Sequence, residues 1–172
     1  SCRTSQAAVF AIGDIVSGNL QLAHVATAQG VLAAEAASGL RRRNETVVPA
    51  CIFTSPEIGV AGVTEEQAKA AGRGVRTGLF SFAALGKAMA AGMTEGFVKW
   101  VADAATDQLI GAQAVGPHAT ELIATAALAV RNELTAQEFG RTIHSHPTLS
   151  EAWMEAAHAL HGTCIHAAPR RR

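Results

Sequence analysis

Two largely apolar runs, residues 97–101 (Phe, Val, Lys, Trp, Val) and 109–115 (Leu, Ile, Gly, Ala, Gln, Ala, Val), flank a polar stretch from Asp103 to Gln108. Strand-forming runs joined by a short polar turn read as a β-hairpin, which commits the chain to antiparallel pairing. Residues 47–53 and 75–82 have the content of further strands. After Pro117, the residues Ala119, Leu122, Ile123, Ala126 and Val130 recur at helical spacing and form one apolar stripe. Such a stripe is either a core face or a seam against a second copy. Thr64-Glu65-Glu66-Gln67 opens a short helix that Gly72 and Gly74 end, and Thr135 opens another to about Phe139. The fold class is α+β, an antiparallel sheet flanked by helices.

The first quarter reads differently. Residues 8–12 are a continuous apolar run without polar alternation, as expected for a strand buried on both faces, and it stops at Gly13-Asp14. A carboxylate at the carboxyl end of such a strand can accept hydroxyl hydrogen bonds, though a turn aspartate looks the same. From about Gln21 to Ser38 the chain is alanine-rich and helical in propensity, with Gly39 as a stop. Gln21, Leu22, Ala23 and His24 stand at the N-terminal end, where helix N–H groups favour negative charge. Residues 39–46, with Arg41, Arg42 and Arg43, read as a linker.

Formal charge is balanced at 14 basic against 14 acidic residues, so no overall field points to nucleic acid or membrane. With 49% hydrophobic residues and no apolar run long enough to span a bilayer, the expectation is a soluble globular chain. No signal-peptide pattern is read at the start. Cys2, Cys51 and Cys164 are far apart and odd in number, which fits free thiols in a reducing, cytoplasmic setting.

The stretch most suited to chemistry is His144-Ser145-His146-Pro147-Thr148-Leu149-Ser150-Glu151. Pro147 restricts His146 to extended geometry. Thr148-x-x-Glu151 has the form of a capping box ahead of a helix at Ala152-Trp153-Met154. Folding back at the proline lets Glu151 accept a hydrogen bond from one ring nitrogen of His146, leaving the other to move a proton. The plainer reading makes Glu151 a helix cap and His146 a surface turn residue. His144 reads as structural. His158, His161, Cys164 and His166 have zinc-ligand chemistry but loose spacing in a tail, so polar packing is the expected role and no metal is assigned.

His146-Pro147-Thr148 followed by Glu151 resembles the C-terminal active-site segment of the flavoprotein disulfide reductases. Leu149-Ser150-Glu151-Ala152 brings it closest to the dihydrolipoamide dehydrogenase branch. Cys51-Ile52-Phe53-Thr54-Ser55-Pro56-Glu57-Ile58-Gly59 is similar to the first strand of that family's interface domain. Gly116-Pro117-His118-Ala119-Thr120-Glu121-Leu122-Ile123 resembles its long interface helix, and Val9-Phe10-Ala11-Ile12-Gly13-Asp14 its second flavin-binding sequence. The resemblance implies a remnant of an FAD-binding domain over residues 1–45 and a dimerisation domain over 46–172. It implies His146 and Glu151 as an acid/base dyad serving the partner subunit's redox disulfide in a homodimer, with a cis bond before Pro147. It implies Asp14 on the ribityl chain of FAD, with Gln21, Leu22, Ala23 and His24 beside the flavin. The implied activity is NAD-dependent oxidation of dihydrolipoyl groups carried by lipoyl domains of 2-oxo acid dehydrogenase complexes.

The family's redox cysteine pair and its early Gly-x-Gly-x-x-Gly fingerprint are not found in these residues, so the nicotinamide site is absent and the FAD site partial. The expectation is a C-terminal portion that does not catalyse the reaction alone. A non-catalytic dimerisation module is the alternative. The matching portion of a relative such as glutathione reductase is another, although that enzyme carries a further glutamate where this chain has Ala152.

Overall fold

The computed structural model describes residues 2–40 and 47–167. The chain divides into two compact units, Ser1–Thr46 and Val47–Arg172. Arg41, Arg42 and Arg43, like Arg170, Arg171 and Arg172, lie outside the described residues.

In the first unit a 3-10 turn at Gly13–Ile15 precedes helix α1, Ala23–Ala37. Gly13 adopts a left-handed φ of +71°. Its N–H donates to the Gln29 side-chain oxygen at 2.7 Å, tying the turn to the middle of α1. The run at residues 8–12 is not the doubly buried strand that its composition suggests. Phe10 makes one isolated antiparallel bridge to Arg3, and Val9 and Ile12 are 51% and 39% exposed. A strand is buried on both faces only where ladder neighbours and flanking layers cover it. Here the run has a neighbour on one side, residues 2–4, through Thr4 N–H to Val9 and Ala11 N–H to Cys2, and that does not cover both faces.

The second unit runs β1 (Ala50–Ile52), β2 (Glu57–Gly62), α2 (Glu65–Ala70), β3 (Val75–Ser81), α3 (Gly86–Ala91), β4 (Phe97–Asp103), β5 (Leu109–Gly116), α4 (Ala119–Arg131), α5 (Ala136–Arg141) and α6 (Glu151–Leu160). The five strands form one antiparallel sheet in the order β1-β2-β5-β4-β3. The hairpin β4–β5 is its centre. Asp103 accepts backbone N–H groups from Ala105 and Thr106 to shape the turn, and a register shift at Val101/Ala102 bends the ladder there. The strand expected over residues 47–53 forms as Ala50–Ile52. The segment 51–59, likened above to one strand, spans two, because the Phe53–Pro56 turn, with a cis Ser55–Pro56 bond, folds β2 back on β1.

One face of the sheet is covered by α4, α5 and α6. Strict alternation puts Val98, Trp100 and Ala102 of β4 and Ala112 and Ala114 of β5 on that face, all fully buried. The α4 stripe meets them: Ala119, Ile123, Ala126 and Val130 are buried and Leu122 half-buried, so the stripe is a core face. On the other face, α2 covers Val101 and Ile110 with Ala68. The helix starts expected at Thr64 and Thr135 both form, and each closes as a capping box with Gln67 or Glu138 as the reciprocal residue.

Small residues let the helices reach the sheet. A Cβ on Gly59 would meet the Ala119 carbonyl oxygen at 2.6 Å and Ile123 at 2.8 Å. A Cβ on Gly78 of β3 would run into the Ala156 carbonyl oxygen of α6 and come within 2.8 Å of Leu160. Gly78→Ala therefore has to lift α6 from the sheet. Overpacking of this kind should remove about 1–3 kcal/mol, read as a lower urea midpoint at unchanged slope. An unchanged midpoint would contradict this packing.

Charge also ties α2 to the sheet. Glu65 accepts from Lys69 at 2.7 Å and from Lys99 of β4 at 2.6 Å. The Lys69 and Lys99 ammonium groups hold its carboxyl down from 4.5 to about 2. A lowered folded-state pKa stabilises fully above the unfolded value and is lost as pH falls through the folded one. Stability should therefore decline between pH 4.5 and about 2, and Glu65→Gln should flatten that limb. An equal acid slope in the variant would remove this pair from the account.

Candidate active site

Helix α6 begins at Glu151, and the loop from Thr142 to Ser150 delivers the chain to it. The His146–Pro147 bond is cis. Proline brings no N–H, so the donors nearby are Thr148 N–H and the imidazole. Both go to Glu151. Thr148 N–H donates to Oε2 at 2.8 Å, and His146 Nδ1 lies 2.9 Å from Oε1. The expected capping box is only half formed. The Glu151 side chain reaches back to Thr148 as a box requires, but Ser150, already helical at φ −66° and ψ −20°, occupies the N-cap position. The Thr148 hydroxyl is engaged inside the loop instead.

Burial divides this pair sharply. The Glu151 side chain is 9% exposed and that of His146 71%. Burial pushes the Glu151 carboxyl up, but Thr148 N–H, the His146 hydrogen bond and the His146 and His166 charges together leave it below its ordinary value. An ionised carboxylate can only accept, so Nδ1 carries the proton and Nε2 presents a lone pair outward. His144 has other work. Its Nδ1 bonds the Thr142 carbonyl at 2.8 Å and its ring packs on Phe139 at 5.3 Å.

The candidate cofactor residues lie in the first unit. Asp14 sits exposed in the Gly13–Ile15 turn. Gln21 and Leu22 lead into α1, and Ala23 and His24 form its first turn. Leu22 occupies the N-cap position and its side chain has no acceptor, so α1 begins without a side-chain cap, and Val25 N–H bonds the Leu22 carbonyl at 3.0 Å. Ile15 and Leu20 nearby are 83% and 53% exposed. An exposed carboxylate, an uncapped helix N-terminus and exposed apolar side chains fit part of a site for a large, partly anionic, partly apolar group.

The histidines and cysteine of the tail do not converge. His161 Nε2 lies 3.2 Å from Asp107, while His158 stands near the Thr163 hydroxyl. Cys164 donates to the Glu155 carbonyl, and His166 Nδ1 lies 2.7 Å from the Glu155 carboxylate. Among the described residues no group of three or more such side chains could hold a metal. Burial, with nearby carboxylates, pushes both the Cys51 and Cys164 thiols up, so neither is poised as a thiolate.

Glu155 escaped the sequence reading. It is fully buried, and its carboxylate accepts from Ile165 N–H, His166 N–H and His166 Nδ1. The available signal was a carboxylate amid Trp153, Met154, Ala156 and Ala157, inside an apolar run of α6. All three bonds come from the segment after α6, so this residue straps the tail down. His166→Ala should cost about 1–3 kcal/mol by leaving part of a buried acceptor unsatisfied. A urea titration showing no loss would mean water replaces the imidazole without penalty.

Residues 48–157 match the pyridine nucleotide-disulphide oxidoreductase dimerisation domain, and the chain belongs to that family. Among curated relatives, a dihydrolipoyl dehydrogenase of Bacillus subtilis is 49% identical over 168 residues, covering 96% of this chain and 35% of the relative. One from Thermus scotoductus is 48% identical over 163 residues, covering 95% and 35%. The chain thus spans about a third of the length of these relatives. LpdA from Mycobacterium tuberculosis superposes with a TM-score of 0.85 at 35% identity, over 92% of this chain and 35% of that one. The HOCl-induced flavoprotein disulfide reductase RclA from Escherichia coli does so at 0.79 and 25% identity, over 88% and 35%.

Proposed function

We propose that this chain is the C-terminal portion of a dihydrolipoyl dehydrogenase and supplies the acid/base dyad His146–Glu151 to the partner subunit of a homodimer. One observation carries the reading. A largely exposed imidazole is held through Nδ1 by a buried carboxylate, so its reactive nitrogen faces away from the chain that positions it. A base aimed outward suits a substrate and disulfide supplied by a second subunit.

In the proposed reaction a dihydrolipoyl thiol gives its proton to His146 Nε2. Glu151 stabilises the imidazolium that forms, and its lowered pKa keeps it ionised for that role. The thiolate then attacks one sulfur of the partner's disulfide, breaking that bond and releasing the other sulfur as a thiolate that takes up the proton of the second dihydrolipoyl thiol. The second dihydrolipoyl sulfur displaces the first cysteine sulfur, which closes the oxidised lipoyl ring and leaves the cysteine pair reduced. When bound, FAD would supply two-electron relay from the reduced disulfide to NAD. Asp14 would accept from hydroxyls of that cofactor, and the N-terminus of α1, at Gln21, Leu22, Ala23 and His24, would favour charge developing on its ring. Residues 1–45 are then part of an FAD-binding domain and 46–172 the dimerisation domain. The nicotinamide site and the redox cysteines would come from sequence beyond these residues. The substrate is carried on lipoyl domains of 2-oxo acid dehydrogenase complexes. Three free thiols suit the reducing cytoplasm.

A chimera tests this. The aligned third of the Bacillus subtilis dihydrolipoyl dehydrogenase is replaced by this chain and assayed with dihydrolipoamide and NAD. The chimera should turn over. His146→Ala within it should lower turnover about 10²–10⁴-fold, the contribution of a positioned base, with flavin content and dimer mass unchanged. Equal turnover in the variant would remove His146 from the mechanism.

A further inference from the structure

Thr148 stands at the centre of the loop that holds the dyad. Its N–H donates to Glu151 Oε2 at 2.8 Å. Its hydroxyl lies 2.8 Å from the Ser145 carbonyl oxygen and 2.9 Å from Ser150 Oγ. Hydrogen-bond inventory fixes the direction of this relay. A carbonyl cannot donate, so the single hydroxyl proton of Thr148 goes to Ser145. Ser150 must then donate to Thr148 Oγ1. The relay Ser150 → Thr148 → Ser145 closes the loop on itself across His146 and Pro147, and serial hydroxyl bonds of this kind reinforce one another.

We propose that Thr148 is a positioning residue for the acid/base dyad, its hydroxyl clamping the Ser145–Ser150 loop so that Glu151 meets His146 Nδ1. This rests on the dyad reading above and extends it to a residue that acts through the dyad. The hydroxyl is not needed to start α6, because Ser150 holds the N-cap position. Geometry couples its two ends. Ser145 immediately precedes His146, and Ser150 immediately precedes Glu151. Clamping the two serines therefore sets the separation of the two side chains that follow them. Meanwhile Thr148 N–H occupies Glu151 Oε2 and leaves Oε1 for the imidazole. Without the clamp, the exposed imidazole can rotate away and lose its tautomer preference.

The test is ¹⁵N NMR of the histidines in the full 172-residue chain, at alkaline pH where imidazoles are neutral. The ring nitrogen shifts report how His146 divides between Nδ1–H and Nε2–H. Glu151→Gln serves as the reference, because it removes the carboxylate itself. Thr148→Val keeps the shape and the backbone N–H but loses the hydroxyl. It should lower the Nδ1–H to Nε2–H ratio about threefold, the scale of one modest hydrogen bond. Thr148→Ser should restore the ratio. Ser150→Ala, which breaks the same relay from its other end, should shift it in the same direction and covers the case in which the valine variant fails to fold. If Glu151→Gln changes the ratio while Thr148→Val and Ser150→Ala do not, the positioning role is wrong and the dyad stands. If Glu151→Gln changes nothing, the pairing itself is wrong, and the positioning role falls with it.

Discussion

The contact on which the rest of the site depends is between two tryptophans. Trp100 from the middle of the sheet and Trp153 from the first turn of α6 are both fully buried, with ring centroids 4.6 Å apart. Their polar edges are spoken for as well. Trp100 Nε1 donates to the Trp153 carbonyl at 2.9 Å, and Trp153 Nε1 donates to the Leu122 carbonyl of α4 at 3.1 Å. Buried indoles need such partners, so the pair fixes the position of α6 as well as filling space. Gly78 removes the Cβ that would block the approach, and Phe139 of α5 closes the cluster edge-on to Trp100 at 5.1 Å.

With α6 held in this way, two carboxylates four residues apart face inward from it. Glu151 and Glu155 are both buried, and each takes a histidine Nδ1 from a segment outside the helix. A buried charge is tolerable only when hydrogen-bonded, so each carboxylate recruits the donors within reach. At Glu151 these come from the preceding loop, and the result is an imidazole turned outward. At Glu155 they come from the following tail, and the result is a strap. The same physics thus produces one arrangement suited to proton transfer and one suited to holding the chain end.

Local patterns were legible in the sequence where a short-range rule decides the structure. The polar turn between residues 97–101 and 109–115 marked the central hairpin, and Thr64 and Thr135 marked two helix starts. The spacing of Ala119, Ile123, Ala126 and Val130 marked a buried face, and burial identifies it as core. His146 and Glu151 meet as the fold-back at Pro147 suggested. What escaped depends on contacts that no short-range pattern specifies. The apolar run at residues 8–12 gains only a short pairing with residues 2–4, and Val9 and Ile12 stay exposed. Thr148 carries the sequence mark of a capping box, yet its hydroxyl is claimed by Ser145 and Ser150. Glu155 is understood only once His166, eleven positions on, folds back upon it.

The central claim is that the dyad acts across a dimer, and subunit complementation tests it most directly. Two inactive forms of the Bacillus subtilis chimera are mixed, one lacking His146 and the other lacking its redox cysteines, and are dissociated and reassembled together. Hybrid dimers then hold one intact site, formed by His146 from one subunit and the disulfide from the other. The account predicts that activity returns on mixing, in proportion to the hybrid fraction. A mixture that forms hybrids and stays inactive would place the base beside the disulfide of its own chain and contradict the account.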